Sequence, residues 1–446
     1  MKTQICESES LDAVPVGWKA AKLKYHAELN PKCKTQVTED SEVTFTPMEN
    51  IKNGYFIPGK EKYGMFAGNS QYAEYEEGDI AFAKVTPCFE NDNIAIMQDL
   101  VNGKGFGSSE LFVMRPLDIG IKYLFYLIQS PHFKANGVAS MTGTGGLKRV
   151  SSDAVRNYKF ALPGAKIQNL ISSYLDTKCA ELDKVVEQTR ATIEEYKKLK
   201  QAIITEAVTK GVRGPRSLKP SGVEWIGDIP VGWYTSKAGR FIASTQNGLT
   251  RRDLSESSGD IVLKLRNITP DGTIDYSAVT RVKLSDAEKT AYTLEKGDFL
   301  FVRVNGSKSL VGKSAIFDGS DEDVAYNDHI IRVRLETNYS RAYFKWFLLS
   351  TPGKTEIDMR TSTSAGQFTI SGQELRNIRL CVPSVEEQQE IATYLDAKCA
   401  EIDRIIQKKE QLIEELGSYK KSLIYEYVTG KKEVKTNMEL KVPRSN

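Results

Sequence analysis

Residue types that usually do covalent or metal chemistry occur here without useful company. Three histidines (His26, His132, His329) and six cysteines (Cys6, Cys33, Cys88, Cys179, Cys381, Cys399) are scattered through 446 residues without Cys-x-x-Cys spacing, so no zinc site is encoded. A nucleophilic triad needs a histidine in a recognisable nucleophile context, and none of the three has one. Gly306-Ser-Lys-Ser-Leu-Val-Gly-Lys-Ser314 ends like a phosphate-binding loop, but the first glycine of G-x-x-x-x-G-K-[ST] would fall where Ser307 stands. A basic hairpin or loop is the stronger reading, and a nucleotide-binding enzyme using Lys313 the weaker one. Gly103-Lys-Gly-Phe-Gly107 lacks the strand-then-helix setting of a dinucleotide site and reads as a loop. No Asn/Asp-Pro-Pro-aromatic motif of an adenine methyltransferase occurs. The sequence therefore predicts a non-catalytic protein with no cofactor and no metal.

What the chain does offer is cationic and polar loop chemistry. Lys104, Lys148 and Arg149 in the first half, with Arg251, Arg252, Arg303, Lys308 and Lys313 in the second, are the types that meet phosphates and base edges. Singly, each is better explained as solvated surface. Together, and in both halves, they are candidate phosphate and base-edge contacts. A net charge of +3 allows local basic patches without requiring a polyanionic partner.

These residues are carried on a chain that states its plan twice. Tyr174-Leu-Asp-Thr-Lys-Cys-Ala-Glu-Leu-Asp183 recurs as Tyr394-Leu-Asp-Ala-Lys-Cys-Ala-Glu-Ile-Asp403, eight identities in ten at an offset of 394 − 174 = 220. The same offset pairs Pro163 with Pro383, Gln168 with Gln388, Glu194-Glu195 with Glu414-Glu415 and Val208-Thr209 with Val428-Thr429. Upstream, Pro15-Val-Gly-Trp18 reappears as Pro230-Val-Gly-Trp233. Each half opens with one signature and closes with the other.

The closing segments predict long helices. Leu182, Val185, Tyr196, Leu199 and Ile203 in the first copy, and Ile402, Ile405, Leu412, Leu416, Tyr419 and Leu423 in the second, follow a 3,4 alternation and are expected to pair the helices. Thr189, Thr192 and Lys409 are polar members of that row, and Val186, Ile193, Ile204, Ile406, Ile413 and Ile424 flank it. Before each helix lie about 150 residues of strand-rich sequence, as counted from the opening signature. Glu77-Gly-Asp and Lys296-Gly-Asp lead into one shared strand, and Leu111–Arg115 and Ile330–Arg334 form the next. Aromatic helical patches follow at Tyr123–Ile128 and Tyr343–Leu349, then Gly/Ser/Thr loops at Thr142–Arg149 and Thr361–Phe368. Gly211–Pro220 reads as a linker.

Cys179 and Cys399 fall at matching repeat positions and read as small buried helix thiols. No apolar run approaches the roughly 18 residues a membrane span needs, and the acidic start from Met1 to Ser10 has no signal core. A cytoplasmic protein without membrane contact is the expectation.

At Ile229-Pro-Val-Gly-Trp233, Glu386-Glu-Gln-Gln-Glu-Ile-Ala-Thr-Tyr-Leu-Asp396 and Ser422-Leu-Ile-Tyr-Glu-Tyr-Val-Thr-Gly430, the chain resembles the DNA-specificity subunit of type I restriction-modification enzymes. The resemblance covers nearly the whole chain, with one departure: Gly164-Ala-Lys-Ile-Gln168 replaces the acidic residues at the first helix start. It implies an α+β fold of two tandem mixed α/β target recognition domains, separated by two long helices pairing as an antiparallel coiled coil with pseudo-twofold symmetry. The expected boundaries are 1–163 and 213–383 for the domains, 164–212 and 384–432 for the helices, and 433–446 for a tail. It further implies double-stranded DNA as ligand, read as two half-sites, and partnership with two methyltransferase subunits and motor-nuclease subunits. A coiled-coil adaptor without nucleic acid is the remaining alternative.

Overall fold

The computed structural model describes residues 14–69, 71–143, 146–251, 258–269, 272–364 and 366–434. The chain divides into two compact units. Unit 1 comprises residues 1–189 and 410–446, and unit 2 residues 190–409. Among the described residues no helix is long and apolar enough to cross a membrane.

Both units build a first sheet of the same strand order from strands with β-favouring, apolar sequence. In unit 1, Ala27–Leu29, Leu111–Pro116, Ile80–Ala83 and Ile94–Ile96 lie in that order, all antiparallel. Unit 2 repeats the order with Ile242–Asn247, Ile330–Leu335, Phe299–Val302 and Ser314–Ile316. A second sheet in each unit contains one parallel pair, Glu42–Thr46 with Lys104–Ser108 and Asp260–Leu263 with Val324–Tyr326. The two Gly-Asp turns are built alike. Asp79 accepts the Glu76 N–H at 2.8 Å and the Arg115 Nε–H at 2.8 Å, and Asp298 accepts from Glu295 at 2.9 Å and Arg334 at 2.8 Å. A buried carboxylate in each unit thereby ties a turn to the neighbouring strand.

Lys104–Ser108 corrects the expected loop at Gly103–Gly107. Its glycines are strand residues, and a Cβ on Gly105 would stand 2.0 Å from the Tyr75 ring. Gly105 admits that ring, and a Cβ on Gly107 would stand 2.6 Å from Leu111. The stretch Gly306–Ser314 is likewise part of a hairpin: Phe299–Val302 runs antiparallel to Ser314–Ile316, and the Lys313 carbonyl accepts the Val302 N–H at 2.8 Å. A strand follows Lys313 where a phosphate-binding loop requires a helix. The nucleotide-binding alternative is thereby set aside.

The long helices are Ala165–Lys210 and Val385–Val428. Neither contains proline, and each is followed by a glycine in the left-handed region, Gly211 at φ 78° and Gly430 at φ 70°. Their starts differ: the first turn of the second helix carries Glu386 and Glu387, and that of the first carries no acid. Ser384 Oγ accepts the Glu387 N–H at 3.3 Å, whereas Gly164, at the matching position, has no side chain to offer.

Within each unit the helix segments run antiparallel. In unit 1, Tyr174 meets Tyr427 and Asp183 meets Lys420. In unit 2, Lys200 meets Asp403, and Lys409 Nζ lies 5.9 Å from the Tyr196 ring centre. Of the expected pairing residues, Ile402 and Leu423 are buried, and Leu182, Tyr196, Ile203, Ile405 and Leu416 half-buried. Val185, Leu199, Leu412 and Tyr419 are 42%, 48%, 40% and 55% exposed. The covered row keeps Thr189 and Tyr196 of the expected one and passes through Val186, Ile193 and Lys200 beside the exposed Val185 and Leu199 in the first helix. Polar side chains hold seam positions because they are satisfied there: the buried Thr189 hydroxyl donates to the Val185 carbonyl at 2.7 Å, and Lys200 lays its alkyl stem along the seam while its ammonium reaches Asp403. The flanking residues Val186 and Ile193 thus share the covered face with the expected row.

Candidate nucleic-acid interface

In each unit the central strand of the first sheet runs on into a hairpin module. In unit 1, Val85 bridges Arg149, which also bridges Thr142 and so closes the hairpin. Thr86 fastens the loop: its hydroxyl donates to the Gly146 carbonyl at 2.8 Å and accepts the Lys148 N–H at 3.0 Å. In unit 2, Val304–Asn305 pairs with Gln367–Thr369, which pairs with Ser362–Ser364, and Ile370 N–H donates to the Arg303 carbonyl at 3.0 Å. Among the described residues both modules present polar side chains, and the unit 1 hairpin also leaves Leu147 48% exposed.

The structure sorts the eight expected contacts. Lys148 is exposed in the unit 1 hairpin, and Lys308 is exposed on the turn after Asn305 in unit 2. Arg303 and Lys313 are half-buried in that same region, Arg303 donating to the Asp328 carbonyl at 3.1 Å. Arg149 is exposed but forked onto Glu110 at 2.9 and 2.6 Å. Those bonds hold the Glu110 carboxyl below its usual range. Arg251 is half-buried, donates to the Lys283 carbonyl at 3.2 Å and lies 3.8 Å from Glu288. Arg252 falls outside the described residues. Lys104 is only 5% exposed, with its ammonium 4.9 Å from the Tyr63 ring centre and 3.9 Å from Glu74. A lysine so enclosed is a structural cation, placed by the strand that the sequence reading took for a loop.

Positioning residues that composition alone did not single out mount each sheet domain on its helix segments. Gln168 accepts the Gly120 N–H at 2.7 Å and donates to the Pro163 carbonyl at 2.8 Å. Gln388 does the same with Ser340 at 2.9 Å and Pro383 at 3.1 Å. The Tyr123 hydroxyl donates to the Val428 carbonyl at 2.9 Å, and that of Tyr343 to the Val208 carbonyl at 3.2 Å. Asp176 accepts from Tyr126 at 2.8 Å, and Asp396 from Trp346 at 3.0 Å. Every partner in one unit maps to the other by the 220-residue offset, for example 120 + 220 = 340 and 208 + 220 = 428. Identity at that offset was the available signal. Cys179 and Cys399 are buried thiols, each pushed up to about 11 by burial. Among the described residues no group of three or more His, Cys, Asp or Glu is placed to hold a metal.

Two sheet domains, each mounted on an antiparallel helix segment and each carrying a hairpin module, define a class of tandemly duplicated α+β protein. Residues 233–415 match the Type I restriction modification DNA specificity domain. The Type I restriction enzyme EcoEI specificity subunit of Escherichia coli is 25% identical over 477 residues, covering 88% of this chain and 79% of that protein. The StySPI specificity subunit of Salmonella potsdam is 24% identical over 387 residues, covering 80% of each. A structure solved in a study of assembly and conformational transition of the type I R-M system aligns with a TM-score of 0.72 at 16% identity, covering 94% of this chain and 100% of that one. The HsdS subunit from Thermoanaerobacter tengcongensis aligns with a TM-score of 0.51 at 18% identity, covering 94% and 98%. The structural likenesses are of fold. The chain is thus similar over most of its length to type I restriction enzyme specificity subunits, and its residues 233–415 carry the matching domain.

Proposed function

We propose that this chain is the sequence-specific DNA-binding subunit of a type I restriction-modification system. Its regions 1–163 and 213–383 are target recognition domains, each reading one part of a bipartite site. The helices within 164–212 and 384–432 form the framework on which two methyltransferase subunits and the motor-nuclease subunits dock, and catalysis resides in those partners. The observation that carries this reading is the duplicated mounting, in which Gln168 and Gln388 make the same two bonds in the two units. Two equivalent readers on equivalent mounts suit a two-part target. Lys148 and Lys308 are the foremost phosphate contacts, with Arg303 and Lys313 beside the latter, since all four lie in or against the hairpin modules.

The test is methylation mapping with the chain assembled on its methyltransferase subunits. Exchanging residues 1–163 for the corresponding domain of another specificity subunit should change one half-site and leave the other. A change in both halves, or the absence of salt-dependent DNA binding by the complex, would overturn the proposal in favour of a coiled-coil adaptor.

A further inference from the structure

The first sheets of the two units differ at one edge. In unit 1 the edge strand Ala27–Leu29 stops with Leu29 opposite Met114, and Asn30 leaves it in the left-handed region at φ 54°. In unit 2 the matching strand continues to Asn247, opposite Ile331, the counterpart of Phe112 by the local offset 331 − 219 = 112. Beside the end of the short strand a cleft of about 430 Å³ opens, lined among others by Asn30, Lys32, Tyr72, Glu74, Lys84 and Ser109. Lys32 is exposed and Lys84 half-buried, with the Lys84 ammonium 5.6 Å from the Phe112 ring centre. Among the described residues neither ammonium has a hydrogen-bond or ion-pair partner. Glu74, the carboxylate on the cleft, lies 3.9 Å from the Lys104 ammonium.

We propose that this cleft holds a backbone phosphate of duplex DNA, with Lys84 and Lys32 as its cations; the inference rests on the DNA-reading function proposed above. Position carries the argument. The Lys84 N–H donates to the Glu110 carbonyl at 3.0 Å and the Lys84 carbonyl accepts the Val150 N–H at 2.8 Å, which ties the hairpin module to the edge of the cleft. Arg303 makes the same two bonds in unit 2, to the His329 carbonyl at 2.8 Å and from the Ile370 N–H at 3.0 Å. The offset relates them, 84 + 219 = 303 and 110 + 219 = 329. Each unit therefore places a cation where its first sheet passes into its hairpin. The lining suits a phosphate, whose oxygens take lysine and neutral donors together. Asn30 Oδ1 accepts the Val113 N–H at 3.1 Å, which leaves the Asn30 NH2 to donate, and the hydroxyls of Ser109 and Tyr72 stand on the same wall. Arg149 is spent on Glu110, whereas Lys84 and Lys32 keep their charge for a ligand.

The experiment measures binding of a target duplex, identified by methylation mapping, to the chain assembled on its methyltransferase subunits at several salt concentrations. Lys84→Met and Lys32→Met should each lower the slope of log affinity against log salt by about 0.9. Both should weaken target and unrelated duplexes alike, and Lys84→Arg should keep the wild-type slope. Should Lys84→Met fail to fold, Lys32→Met decides alone, since Lys32 is exposed. An unchanged slope in a folded variant, with wild-type binding intact, would overturn the cleft assignment and leave the DNA-reading function standing. No salt-dependent binding by wild type would overturn both. Lost discrimination between target and unrelated duplexes at an unchanged slope would place the lysines on base edges and overturn the phosphate assignment. Inorganic phosphate at matched ionic strength should compete no better than chloride; competition that Lys84→Met abolishes would make the cleft a free-anion site and overturn its assignment to DNA.

Discussion

Lys420 donates to both carboxylate oxygens of Asp183 at 2.7 Å, and the same pair recurs with its members exchanged between helices, Lys200 donating to Asp403 at 2.7 Å. The offset relates the two bridges, 183 + 220 = 403 and 200 + 220 = 420. Each helix supplies the acid in one unit and the base in the other. Both lysines are partly covered, while both aspartates are more than half exposed, so solvent screening limits each bridge. Double-mutant cycles with Asp183→Asn and Lys420→Met, and with Asp403→Asn and Lys200→Met, should each give a coupling of about 0.3–1 kcal/mol that shrinks in high salt. Strong coupling in one unit and none in the other would contradict the matched pairing.

Gln388→Leu should lower stability by about 2–3 kcal/mol, because the Ser340 N–H and the Pro383 carbonyl both lose their side-chain partner in a largely buried setting. Gln168→Leu should cost a similar amount through Gly120 and Pro163. Calorimetry of the two variants checks this, each substitution shifting the transition of its own unit. A neutral effect at either glutamine would remove it from the mounting.

Lys308→Ala and Lys148→Ala should each weaken DNA binding by the methyltransferase-bound chain and reduce its salt-dependence slope by about 0.9. Lys104→Ala should leave the slope unchanged and destabilise unit 1 by about 1–2 kcal/mol, through loss of the cation held against Tyr63 and Phe106. Binding isotherms at several salt concentrations separate the two behaviours. A smaller slope for Lys104→Ala would mean that its ammonium leaves the interior to meet phosphate.

The Glu110 carboxyl is held below its usual range by Arg149, so its contribution to the unit 1 hairpin is pH-dependent with a fixed sign. A depressed folded-state value makes that contribution fully present above the unfolded glutamate value, about 4.3, and loses it as pH falls through the lower folded value. Amide-exchange protection at Arg149 and Val150 should therefore drop below about pH 4 in wild type. Protection in Glu110→Gln should be lower at neutral pH and nearly flat over the same interval. A flat wild-type profile would show that the bridge does not hold the hairpin.

The sequence by itself determined the tandem plan, the two proline-free helices and the shared strands before and after each Gly-Asp turn. These are legible because duplication leaves identities at a fixed offset, and because helix and strand periods are local properties of the chain. It also marked Gln168, Gln388, Asp176 and Asp396 as repeated positions. Their roles stayed hidden, since Gln168 meets Gly120 and Asp176 meets Tyr126 across some 50 residues of chain.

Tertiary structure alone decided which polar side chains are free and which are spent. Lys104 and Lys148 are the same residue type in the same half, yet one is enclosed by Tyr63, Phe106 and Glu74 and the other is exposed on a hairpin. The seam was decided there too: Lys200 holds a partly covered position with its ammonium on Asp403 while Val185 and Leu199 face solvent, because a polar group with a satisfied bond can be covered at little cost and that bond lies across the chain.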